Sequence, residues 1–115
     1  MKLAEQISLE CETNPSLTKS YDGRGNKKLS RFRTRTGLPV AVQTDGPRIW
    51  CLADHGRKAS HLGLDARFYP APSSSDAFGR HSGLKCIAEF RQHAARCFKP
   101  RSAAEATDLL RILAS

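Results

Sequence analysis

An α+β fold is what the sequence predicts: a small antiparallel sheet of three to five strands with two to three helices packed on one face. Three observations lead there. Residues 29–36, 40–44 and 48–53 are strand-length runs separated by turns marked with glycine and proline, the pattern of an antiparallel meander. Residues 102–115 carry apolar side chains at helical spacing. Both kinds of element need an apolar partner, and helices laid on one side of a sheet supply it in two layers. At 115 residues the chain is expected to form a single domain over residues 1–115.

Residues 2–11 predict a first helix, with Leu3, Ile7 and Cys11 on one side, ended by Asn14 and Pro15. Residues 19–28, with two glycines and four bases, predict a mobile loop. In residues 29–36 the odd positions hold Leu29, Arg31, Arg33 and Arg35, and the even ones Ser30, Phe32, Thr34 and Thr36. As a strand, this segment would carry its three arginines on one face and Phe32 on the other. Gly37, Leu38 and Pro39 make a turn, Val40 and Val42 share one face of the next strand, and Asp45, Gly46 and Pro47 turn into the third.

Residues 54–82 hold no sustained period; "RFYP" (67–70) reads as a short strand, and the serine- and proline-rich stretch near 70–80 as a second mobile loop. Ser82 would cap a helix over 83–94, "ARCF" (95–98) reads as a short buried strand, and Pro100 breaks it. Ser102 and Glu105 stand in capping-box relation ahead of Ala106, Leu109, Leu110 and Leu113, an i, i+3, i+4, i+7 stripe.

No apolar run approaches the roughly 18 residues of a membrane span. The opening "MKLAEQISLE" lacks the apolar centre of a secretory signal. The chain is therefore expected to be cytoplasmic, away from membranes, with Cys11, Cys51, Cys86 and Cys97 as thiols, although four cysteines would also permit two disulfides.

The net charge of +8 is unevenly spread. Residues 19–37 hold Lys19, Arg24, Lys27, Lys28, Arg31, Arg33 and Arg35 against Asp22 alone, and no acid occurs between positions 23 and 44. Arginines outnumber lysines twelve to seven, which suits forked contacts to phosphate better than mere solubility. A concentrated basic field attracts polyanions. The expected function is therefore binding of nucleic acid, DNA or RNA, without catalysis and without a cofactor. Its contacts would come from Arg24, Lys27, Lys28, Arg31, Arg33 and Arg35, extended by Arg48, Arg57 and Lys58. A solvated, charged edge strand is the plain structural alternative for the arginine row. An acidic protein partner, docked as by a phage- or plasmid-type regulator, is a second kind of target, and an exposed strand invites a homodimer.

Two constellations could carry chemistry instead. "FGRHSG" (78–83) sets Arg80, His81 and Ser82 between glycines ahead of a predicted helix, where a phosphodiesterase would want an anion clamp and a general acid or base. Asp54, His55 and His61 would be further members of such a site, but acids are scattered one per segment, unlike a metal-dependent nuclease. Cys51 with His55 and His93 with Cys97 are two Cys/His pairs at helix-turn spacing, a weak zinc signal without any CxxC, so no metal is expected. No P-loop, dinucleotide fingerprint or G-x-S-x-G is present.

Overall fold

The computed structural model describes residues 2–19, 29–43, 46–71 and 87–114. It is an α+β fold whose antiparallel sheet has six strands, one more than the upper end of the sequence expectation. The strands are β1 (Leu17–Lys19), β2 (Leu29–Thr34), β3 (Pro39–Gln43), β4 (Arg48–Leu52), β5 (Ala66–Tyr69) and β6 (Ala95–Phe98), in spatial order β1-β2-β3-β4-β6-β5. The expected meander is β2-β3-β4, in register Arg31↔Ala41 and Ala41↔Trp50. The additions are β1, three residues alongside β2, and the pair β6-β5, with Trp50↔Cys97 and Arg67↔Cys97.

The helices are α1 (Leu3–Thr13), α2 (Ala53–Gly56), α3 (Ala88–Gln92) and α4 (Ala103–Ala114); α2 runs straight into a 3₁₀ segment, Arg57–Leu62. α1 ends where Asn14 makes a local turn, its Oδ1 accepting the Ser16 amide at 2.9 Å. The 3₁₀ segment stops at Gly63, whose φ of +64° is glycine territory. α4 starts on half of the expected capping box. Ser102 Oγ accepts the Glu105 amide at 3.2 Å, but the Glu105 carboxylate takes the Arg101 amide at 2.9 Å, one residue earlier than the motif prescribes. That bond holds the Glu105 carboxyl below its usual range.

Both faces of the sheet are covered, which corrects the expectation of helices on one face. On the first, Ile7 and Cys11 of α1 and Leu109, Leu110 and Leu113 of α4 pack with Phe32, Val40, Val42, Ile49, Cys51 and Phe98. On the second, Ile87 and Phe90 pack with Leu29, Ala41, Trp50, Tyr69, Ala95 and Cys97. The strand residues of the two clusters alternate along β2, β3, β4 and β6, as the two-residue pleat requires. The helix expected over 83–94 is the short α3, and its earlier positions lie outside the described residues, as do most of the two loops expected near 19–28 and 70–80. Among the described residues, no helix is long and apolar enough to cross a membrane.

Candidate functional site

The arginine row keeps its strand spacing and loses its solvent. Leu29 lies in the second-face cluster and Phe32 in the first, so Arg31 and Arg33 point toward the second face. Arg31 is only 6% exposed, and its Nη1 has no hydrogen-bond partner among the described residues. Arg33 is half-buried against α3. Its two terminal nitrogens grip the Glu89 carboxylate, Nη2 donating to Oε1 at 3.1 Å, and Nη1 also donates to the Gly37 carbonyl at 2.8 Å. Such a forked pair is a strong tie between a strand and a helix. Arg35 falls beyond the end of β2, exposed in the turn to β3. That turn is fixed by Gly37 at φ +85° and by the Leu38 amide donating to Thr34 Oγ1 at 3.2 Å.

The three arginines therefore do not form one solvated row: the second layer of packing takes two of them. Arg24, Lys27 and Lys28 lie outside the described residues, and so do Arg80, His81 and Ser82. Arg48 stands half-buried at the start of β4, while Arg57 and Lys58 are exposed beyond its far end, so the expected extension of the patch splits in two.

What the fold does bring together is a groove of about 660 Å³ at the end of the sheet where β4 passes into α2. Its wall includes Asp54, His55, Arg57 and Lys58 from α2 and the 3₁₀ segment, Phe68 from β5, and His93 and Arg96 from the approach to β6 and β6 itself. Leu38, from the turn that carries Arg35, completes one side. The β5–β6 register sets Phe68 directly opposite Arg96. Phe68 is 55% exposed, one of two large apolar side chains that stand out so far among the described residues.

Arg96 is held by close packing. A Cβ on Gly56 would lie 3.0 Å from Arg96 Cδ and 3.1 Å from Cys51 Sγ, tighter than ordinary contact, so the glycine favours the close approach of α2 to the sheet. The Arg96 Nε is buried without a hydrogen-bond partner among the described residues. His55 is buried as well. Its Nε2 lies 2.7 Å from the Leu113 carbonyl of α4, which makes Nε2 the donor. Its Nδ1 is then an acceptor, with no partner among the described residues. Burial pushes the His55 imidazole below its ordinary range; the Leu113 hydrogen bond acts the other way, and the charge of Lys58 reinforces the depression. Among the described residues Asp54 is the one acid on the groove wall, and it lies 3.8 Å from Arg57 with both side chains largely in water. A pair so exposed holds little of the arginine's charge.

The zinc grouping does not converge. Cys51 belongs to the first-face cluster and Cys97 to the second, so the sheet itself lies between the two sulfurs. Cys11, Cys51 and Cys97 are buried free thiols, and burial raises them to about 12, about 12 and about 11. Among the described residues no three histidines, cysteines or acids gather as metal ligands. The hydrolytic grouping fares similarly, since His55 is tied to a backbone carbonyl and His61 is exposed on the 3₁₀ segment outside the groove wall.

Phe68 and Arg96 escaped the sequence analysis. A four-residue strand gives too little alternation to tell an exposed aromatic from a core one, and nothing local shows that "ARCF" (95–98) would set its arginine beside it. No family model, curated protein or solved structure matches the chain.

Proposed function

We propose that this protein binds nucleic acid, and that its contacts centre on the groove at the end of β4. One observation carries the proposal: Arg57, Lys58 and Arg96 border a cleft with Asp54 as its one acid among the described residues, around the exposed ring of Phe68. Cations beside an aromatic face are the two ingredients of nucleic-acid binding, phosphate neutralisation and base stacking. Arg35, in the turn whose Leu38 lines the same groove, adds a fifth contact at the rim. Arg31 and Arg33 then serve the fold, through the second face and the grip on Glu89, rather than tracking phosphates.

The proposal is tested by titrating the protein with single-stranded DNA, duplex DNA, single-stranded RNA and polyglutamate over a series of salt concentrations. Counterion release makes log K fall linearly with log salt, by about 0.7 per phosphate neutralised on a single strand and about 0.9 on B-DNA. The double variant Arg57→Ala, Lys58→Ala is expected to flatten that slope by roughly 1.4 to 1.8 units. Equal affinity for polyglutamate would show a general polyanion surface or an acidic protein target. A slope unchanged by the double variant would remove the groove from the interface.

A further inference from the structure

Building on that nucleic-acid assignment, we propose that the groove receives a single unpaired nucleotide, its base stacked on Phe68 and its phosphate held by Arg96, so that the protein selects single strands over duplex. Four features of the groove point the same way.

The first is size. About 660 Å³ falls within the range of small-ligand clefts, large enough for a nucleotide and far too small for a double helix. The second is Phe68 itself. An aromatic ring 55% exposed on an edge strand offers a stacking face to a flat partner, and the bases of a duplex have their faces already covered by one another.

The third and fourth are two buried polar atoms that lack partners among the described residues and belong to residues of this same wall: Arg96 Nε and His55 Nδ1. A buried donor or acceptor left unsatisfied is costly, so a ligand in the groove that these two residues line would relieve both. One is a cationic donor and asks for an anion. The other, because Nε2 is committed to Leu113, is obliged to accept and asks for an N–H. A nucleotide carries both groups, phosphate oxygens and base N–H donors. A bare phosphate, a sulfate or a carboxylate peptide side chain supplies only the anion.

Phe68 and Arg96 are direct cross-strand partners, and the Arg96 stem packs close to Gly56. The register therefore sets the stacking face beside the phosphate donor.

The test uses the full chain and three fluorescent probes: a thymidine 12-mer, an abasic 12-mer of the same backbone and phosphate number, and a 12-base-pair duplex, which carries twice as many phosphates. Affinity is read by anisotropy over a salt series. The thymidine strand should bind more tightly than both other probes. Phe68→Ala should weaken it by about 5- to 150-fold, the range for losing one base–aromatic stack, while the slope of log K against log salt stays as it was. Phe68→Tyr should restore the affinity, and since residue 68 is exposed both variants should fold as the parent does. Arg96→Gln should instead flatten the slope by about 0.7. If the abasic and thymidine strands bind alike, and Phe68→Ala changes neither, the nucleotide site is overturned while salt-dependent binding through Arg57 and Lys58 stands. If the duplex binds as tightly as the thymidine strand, the single-strand preference is overturned. If no probe binds at low salt, both this inference and the nucleic-acid function fall together.

Discussion

On the face of the sheet under α1 and α4, β2 to β4 and β6 bring Phe32, Val40, Val42, Ile49 and Phe98 against leucines and an isoleucine. On the opposite face the same strands bring Arg31, Arg33, Gln43 and Trp50, under a helix of five residues. The first face is stabilised by removing apolar area from water. The second is a smaller apolar cluster and must also satisfy the polar groups it hides. Arg33 is answered by Glu89, and Trp50 Nε1 donates to Gln43 Oε1 at 3.1 Å. Trp50 leans on Tyr69 with ring centroids 4.8 Å apart, and Arg67 lies over the Tyr69 ring at 5.2 Å. The difference teaches that basic residues at strand spacing are not in themselves a basic surface. When both sides of a sheet are covered, part of the charge goes inside the fold, and exposed cations such as Arg57 and Lys58 lie where the packing ends.

Removing Phe32 should break the comparison most severely. It is 1% exposed in the middle of the apolar face, and Phe32→Ala should cost about 3–5 kcal/mol in urea unfolding. A loss below about 1 kcal/mol would mean that the first face is not the principal core.

The second face should answer in the opposite sense at Arg31. An arginine 6% exposed, with an unpartnered Nη1 among the described residues, carries a desolvation cost with little return. Exchanging buried ionic groups for apolar ones of similar volume is often neutral or stabilising by about 1–4 kcal/mol, and Arg31→Met should follow that pattern and leave the salt slope of nucleic-acid binding unaltered. A marked destabilisation would show that the guanidinium has a counterion; a flatter salt slope would return Arg31 to the binding surface.

Glu89→Gln should be milder. The Arg33 and Glu89 side chains keep about a third of their exposure, 28% and 32%, so the pair lies between the surface and buried limits. A loss of roughly 1–2 kcal/mol is expected, between the ranges for those limits. If Glu89→Gln and Arg33→Gln together cost as much as the two singly, the pair is not coupled, and the second face is held by its aromatic residues alone.

The smallest effect is a pH dependence seated on the first face. The folded protein holds His55 below its usual 6.5, so between that value and the depressed one the unfolded chain binds more protons. Stability is therefore full above about pH 6.5 and declines as pH falls through the lowered value. Urea midpoints at pH 7.5 and pH 5 should differ less in His55→Gln than in the parent; an identical difference would assign the decline to other groups.

Much of this organisation is legible in the sequence, and the boundary has a physical cause. The β2-β3-β4 meander, the opposite sides of Phe32 and the arginines, and the leucine stripe of α4 all follow from local period, which survives into the structure. What local period cannot say is whether the second side of a strand is covered. Leu29 alone hinted at it, an apolar residue sharing a face with Arg31 and Arg33. The placement of β6 between β4 and β5 rests on pairings between distant segments, Trp50↔Cys97 and Arg67↔Cys97 among them. β1 is too short to show a period at all.

That placement of β6 has a consequence for the order of assembly. The strand pairing of β5 is with β6, which is synthesised some twenty-five residues later, so among the described strands β5 has no pairing partner until the C-terminal third is in place. Contacts of such long sequence separation form late, after the loop-closure cost has been met. The ring of Phe68 is thus among the last parts of the molecule to be fixed and among the first to be released. Amide protons of β5 should exchange with solvent faster than those of β3 at the centre of the meander, and any event that frays β6 separates the two sides of the groove wall that Phe68 and Arg96 share.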